Sequence, residues 1–254
     1  MVRDPKRATG KRTTQERGGR TIRRWLDKGG PRISAVLLAA GTSSRFAGTK
    51  QLAMVDDKTT LVGRAVDMLK RSRVGRIVVV LGNQYEEVRE GLGDLGERVR
   101  VVVNPGFKSG LSSSLKTGLM AVSEDSDALV IALADQPLVT SQLIDEIISR
   151  FLETGCAVVT ASTGDLVTPP VLLDRSLFGD LSALEGDVGA KQIILKHTPF
   201  ERVEVERDTL LDVDTRQDLE KARKKLGRLS RRNRTRTRRA LARDERARSP
   251  PSSE

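Results

Sequence analysis

The seven residues from Ile33 to Ala39 form an apolar run broken only by Ser34, and a glycine-containing loop, 41–49, follows directly. A run of that length feeding a loop predicts a buried parallel strand. Next, Leu61, Val62, Ala65, Val66, Met68 and Leu69 recur at the spacing of one helix face, which predicts a helix over 61–71. The two patterns then alternate, with strands expected at 77–81, 99–103, 128–134 and 157–161 and helices at 85–92, 111–122 and 141–154. Such alternation implies an α/β protein: a three-layer α/β/α sandwich around a mainly parallel, Rossmann-like sheet. After Ala161 the pattern loosens. Strands are expected at 171–173 and 200–205 and helices at 190–196 and 217–226, while 216–246 also reads as one continued basic helix. Before Ile33 little is available to bury except Ile22, Trp25 and Leu26, so 1–32 reads as a disordered basic extension with one short helix at 21–28. The expected organisation is that extension, a single domain over 33–226, and a basic tail over 227–254.

Composition sharpens this picture. Aromatic residues are 3% of the chain, so Val, Leu, Ile and Ala must fill the core, as suits a sheet covered on both faces. The formal charge of +11 suggests nucleic acid until its distribution is read. Residues 1–32 carry 11 Lys/Arg against 3 Asp/Glu and 226–254 carry 10 against 3, but 33–225 carry 24 against 28. The central domain is mildly acidic, and nucleic-acid contact is left to the tails, through non-specific, salt-dependent phosphate neutralisation. Neither tail interleaves aromatic residues for base stacking. The single cysteine, Cys156, excludes a disulfide within the chain and any multi-cysteine metal site. Apolar runs at 33–40 and 128–134 fall far short of the roughly 20 residues a membrane-spanning helix needs. With no apolar signal-peptide core at the start either, a cytoplasmic protein without a membrane partner is expected.

Open α/β sheets bind ligands beyond the carboxyl ends of their strands, so residues just after each strand are the candidates for chemistry. After the first strand, Ala39, Ala40 and Gly41 are small enough to let backbone N–H groups approach a phosphate chain, and Arg45 and Lys50 add positive charge. This is not a P-loop, since the Gly-Lys-Ser/Thr ending is missing. A solvated turn with two surface cations has the same composition. Asp135 ends the fourth strand, and Asp212 and Asp214 follow a late one; each also suits a helix-leading or capping position. Asn104 before Pro105 fits a nucleotide contact or a turn former. Ser112 reads as a helix cap, and Ser114 fits capping and base reading equally. Asp187 and Lys191 fit ligand contacts or a local surface ion pair. His197, the only histidine, lies outside these groups and reads as a surface residue, and Cys156 as a core residue.

The words around these residues carry more than composition. Leu38–Leu52 resembles the Ala-Ala-Gly-x-Ser-x-Arg-x-x-Gly-x-x-Lys-x-Leu signature of the MobA-like, pyrophosphorylase-like nucleotidyltransferases, one spacer short before Lys50. Four further blocks follow in order: Asn104–Leu119, Leu133-Ala134-Asp135-Gln136-Pro137, Leu184–Lys191 and Asp212–Leu219. Together they resemble the molybdenum cofactor cytidylyltransferases over about 33–226, with Lys191 where arginine is usual and Thr168-Pro169-Pro170 where Gly-His-Pro is usual. The resemblance implies transfer of CMP from CTP to a molybdopterin-type phosphate acceptor with release of pyrophosphate. Arg45, Lys50 and Asp135 would be catalytic, and Ala39, Ala40, Gly41, Asn104 and Ser114 would bind nucleotide. Asp187 and Lys191 would contact the acceptor, and Asp135 and Asp214 would hold Mg²⁺. A molybdoenzyme or its chaperone would receive the product. Rivals are a guanylyl- or sugar-phosphate nucleotidyltransferase of the same fold and, from another class, a catalytically inactive domain that binds nucleic acid or an acidic partner through its basic tails.

Overall fold

A computed structural model describes residues 30–231, apart from 44, 47, 123, 125 and 230. The short helix expected at 21–28 and most of the basic tail lie outside the described residues.

Seven strands form one sheet in the order β3-β2-β1-β4-β6-β5-β7. Their bounds are β1 Ile33–Ala39, β2 Ile77–Leu81, β3 Val99–Val103, β4 Ala128–Leu133, β5 Val158–Thr163, β6 Leu166–Asp174 and β7 Glu201–Glu204. Only β6 runs against the rest. Every residue of β1 and β2 is buried, as parallel strands covered on both faces require. Ala39 pairs with Leu81, and Leu38 with Leu133, so β1, β2 and β4 end level with one another.

The helices are α1 Leu61–Lys70, α2 Tyr85–Gly91, α3 Leu111–Val122, α4 Ser141–Thr154, α5 Phe178–Ser182, α6 Ala190–Lys196 and α7, over 216–229. Their ends are chemically marked. Thr60 and Thr140 accept the N–H groups of Gly63 and Leu143 at the starts of α1 and α4, and Gly155 at φ 62° closes α4. One core joins Val62, Val66, Leu69, Val88, Ile144 and Phe151 to alternate strand residues such as Leu37, Val79 and Val130. A second, on the opposite face, joins Leu115, Leu119, Leu181 and Ile194 to Val36, Val80 and Ile131. A Cβ on Gly118 would stand 2.5 Å from Val36 Cγ1, so glycine there lets α3 lie close on the sheet. The result is the expected α/β/α sandwich.

The later strands depart from the apolar pattern. β6 is nine residues long although only 171–173 read as a strand, because Pro169 and Pro170 interrupt the alternation. The ladder absorbs both prolines at a register shift: Thr160 pairs with Val171 and Ala161 with Thr168, so neither proline has to donate to β5. A third apolar cluster lies beside the sheet, where Leu219, Ala222 and Leu226 of α7 meet Phe46, Val55, Leu61, Leu138 and Val213. Among the described residues no helix is long and apolar enough to cross a membrane.

Candidate active site

β1 lies between β2 and β4, so the chain leaves it on one side and returns on the other. The carboxyl ends of β1 and β4 therefore flank the switch point where open α/β sheets bind ligands. A cleft there is lined by Leu38, Ala39, Gly41, Lys50, Gln51, Leu61, Ala134 and Asp135.

The loop after β1 is held at two points. Gln51 is buried, and its Nε2 donates to the carbonyls of Ala39 at 3.1 Å and Gly41 at 3.0 Å. Its Oε1 accepts from Ser43 Oγ at 3.1 Å, and that Oγ accepts from the Lys50 N–H at 3.2 Å. Phe46, 3% exposed, sinks into the third cluster, with the Arg216 guanidinium 5.5 Å from its ring centroid. Neither residue had a role on sequence grounds. Ala39 and Ala40 are buried, whereas Gly41 is exposed, with open space where a Cβ would stand. Next to Phe46, Arg45 projects outward with its side chain 76% exposed and Nη2 3.9 Å from Asp214 Oδ2.

Lys50 is the centre of the site. Its Nζ donates to Asp135 Oδ2 at 2.8 Å and Asp214 Oδ1 at 3.1 Å, joining residues from three separate stretches of chain. Burial opposes its charge, but the attraction and hydrogen bonds of the two carboxylates outweigh burial and hold its pKa above the ordinary lysine value. The Val213 N–H donates to the Asp135 carbonyl at 2.9 Å, which docks the segment carrying Asp214 onto the end of β4. Beside them, Asp212 Oδ1 accepts from Nε2 of buried Gln136 at 3.0 Å. Asp212 is exposed as a residue, but the partial burial of its carboxyl and then the charge of Asp135 raise its pKa, against the pull of the Gln136 hydrogen bond.

These carboxylates suit a hard divalent cation. In this structure the Lys50 ammonium occupies the space between one oxygen of Asp135 and one of Asp214. Among the described residues no group of three or more His, Cys, Asp or Glu could hold a metal by itself. Two oxygen ligands leave the remaining positions to phosphate and water, which is how Mg²⁺ is usually bound.

Asn104 is buried at the end of β3 and satisfied from within. Its Oδ1 accepts from the Gly106 N–H at 2.9 Å, and its Nδ2 donates to Ser113 Oγ at 2.8 Å and Ser114 Oγ at 3.0 Å. It therefore ties the end of β3 to the first turn of α3, where Ser114 is itself buried. Ser112, expected as a simple cap, instead donates its hydroxyl to the Gly186 carbonyl at 2.7 Å. Asp187 Oδ1 accepts from the Leu111 N–H at 3.3 Å, at the start of α3. Among the described residues no ion pair joins Asp187 to Lys191, which is exposed on α6. His197 contacts Asp180 Oδ2 at 2.7 Å in a separate cluster, where Lys196 and then His197 lower the Asp180 pKa by hydrogen bonding. Cys156 is a buried free thiol.

The family described as the MobA-like NTP transferase domain matches residues 35–202, a span that includes Arg45, Lys50, Asp135 and Lys191 but ends before Asp214. The 2-C-methyl-D-erythritol 4-phosphate cytidylyltransferase of Thermobifida fusca is 31% identical over 151 residues, 58% of this chain and 60% of that protein. A probable molybdenum cofactor guanylyltransferase of Thermococcus sibiricus is 31% identical over 123 residues, 48% of this chain and 58% of that protein. In both cases the chain spans less than two thirds of the relative's length. The structure of Rv0371C in complex with manganese, from Mycobacterium tuberculosis, is similar with a TM-score of 0.64 and 27% identity, covering 76% of this chain and 98% of that one.

Proposed function

Because this chain belongs to the MobA-like NTP transferase family, we propose that it moves CMP from CTP onto a molybdopterin-type phosphate and releases pyrophosphate. The observation that carries this reading is the meeting of Lys50 with Asp135 and Asp214, beside Arg45 and the exposed Gly41 backbone, at the switch point.

An oxygen of the acceptor phosphate forms a bond to the α-phosphorus of CTP, and the bond from that phosphorus to the pyrophosphate oxygen breaks. Both reactants are anions, so the site must lower their repulsion and hold them in line. Arg45, which projects from the loop, and Lys50, released from its carboxylates, neutralise the triphosphate and the charge gathering on pyrophosphate. The Gly41 backbone N–H approaches a phosphate oxygen, while Gln51 keeps the loop in shape. Ser114, held by Asn104, faces the base, and Asp187 and Lys191 meet the acceptor. A divalent cation held by Asp135 and Asp214 would supply further charge neutralisation; the manganese in the Mycobacterium tuberculosis relative supports a divalent ion here. No general base is required, because a phosphate acceptor is already ionised at neutral pH.

Pyrophosphate release, measured for each triphosphate with and without molybdopterin, tests the reading, with mass spectrometry for the cytosine dinucleotide product. CTP is expected to exceed GTP in kcat/KM, because a pocket that hydrogen-bonds one base leaves polar groups unpaired with another. A GTP preference would move the chain to guanylyl transfer, the activity named for the Thermococcus relative. Turnover only with a sugar phosphate would replace the acceptor, and no turnover with any pair would reject transferase chemistry.

A further inference from the structure

Loop 184–189, which the reading above gives to the acceptor, lies directly on the first turn of α3, which that reading gives to the nucleotide. Gly110 has φ 102°, and a Cβ there would stand 2.4 Å from the Gly186 carbonyl carbon and oxygen and 2.6 Å from the Asp187 nitrogen. Glycine alone allows this approach. Ser112 donates twice to the Gly186 carbonyl, from Oγ at 2.7 Å and from its N–H at 3.3 Å. A Cβ on Gly189 would come within 2.7 Å of Leu111 Cδ2, so the far end of the loop is pressed against the same turn. Glu185, Gly186 and Asp187 are exposed while Ser112 is 3% exposed, so a solvent-facing loop is fastened by a buried hydroxyl. The next two residues, Ser113 and Ser114, carry the hydrogen bonds to Asn104 on the nucleotide side.

We infer that Ser112 is a positioning residue that couples the acceptor loop to the nucleotide-facing turn of α3, with Gly110 providing the close approach. Order imposed on 111–114 by a bound nucleotide passes to 184–189 through the Ser112–Gly186 hydrogen bonds. The choice of ligand on each side rests on the proposed function, but the coupling is measurable with nucleotide alone.

Hydrogen–deuterium exchange of the whole chain, with and without saturating Mg²⁺ and CTP (or GTP, if turnover prefers it), reads the coupling directly. In the wild type, nucleotide is expected to slow exchange in peptides covering both 111–117 and 184–192. Ser112→Ala keeps the effect at 111–117 and weakens it at 184–192 by about fivefold, the scale of one neutral hydrogen bond. Ser112→Thr, which retains the hydroxyl, restores it, and Gly110→Ala breaks the coupling by pushing the loop away. Unchanged nucleotide-dependent protection at 184–192 in Ser112→Ala would overturn the inference. So would a rise in exchange there that is equal with and without nucleotide, the mark of a merely structural role. Protection of 111–117 alone in the wild type overturns the coupling but leaves the proposed function standing. Protection of neither segment removes the coupling and the nucleotide placement together.

Discussion

Each carboxylate of the site has a different environment, and variants should separate them. Asp135→Asn keeps the shape and removes one charge, so turnover is expected to fall by about two orders of magnitude or more, with Asp214→Asn alike. Steady-state pyrophosphate release at fixed Mg²⁺ checks this, and near-normal turnover in either variant would remove that residue from the metal set. Asp212 is the opposite case, because its pKa is raised in the folded chain. A raised value means that the folded state holds the proton more tightly than the unfolded state. The contribution to stability is therefore present below the unfolded pKa and lost as pH rises through the folded one. Asp212→Asn is accordingly expected to melt slightly above the wild type at pH 7, by a small margin because the residue is exposed and its charge screened, with the gain vanishing in acid. Thermal melts in chelator at a series of pH values give the sign, and a lower melting temperature at pH 7 would contradict it. Asp135 and Lys50 were readable because each sits in a local word. The Gln136–Asp212 bond was not, since its partners are 76 positions apart.

Among the elements, α7 matters most beyond the sheet. Its Leu219, Ala222 and Leu226 share a buried cluster with Phe46, and Arg216 lies over the Phe46 ring, so the last described helix helps hold the loop that carries Arg45 and Lys50. Phe46→Ala should cost about 3–5 kcal/mol of stability, typical of a buried ring removed from a packed site. The KM for nucleotide should rise in parallel as the loop loses its anchor. Urea unfolding and nucleotide KM measured on the same preparation test both, and an unchanged KM in a destabilised variant would show that the loop is held by Gln51 alone. The helical spacing of α7 was legible from 217, but its function was not. Amphipathic periodicity reports that a helix has a buried face without saying what it covers. β6 shows the converse limit, since a proline pair hid a strand that a register shift in its neighbour accommodates.

At the scale of the whole molecule, charge and fold separate. The excess of Lys/Arg lies outside 33–225, in segments whose composition offers little apolar surface to a core. Deleting 1–30 and 230–254 is expected to leave melting temperature and turnover nearly unchanged, because neither segment has enough apolar residues to join a core. Calorimetry and pyrophosphate release test this. The same deletion should abolish any retention on DNA at low salt, and retention by the truncated domain would revive nucleic acid as a partner.

The sequence by itself determined the sandwich and the candidate residues at the ends of β1 and β4. Burial on both faces writes continuous apolar runs, and a ligand-facing loop confines its chemistry to a few neighbouring positions. Only the tertiary structure decided which of those residues meet. Lys50 touches Asp135 and Asp214 across 85 and 164 positions, Phe46 finds its cover in α7, and Ser112 fastens a loop 74 residues away. Such contacts depend on strand order and on where each loop lands, which no local pattern of residues encodes.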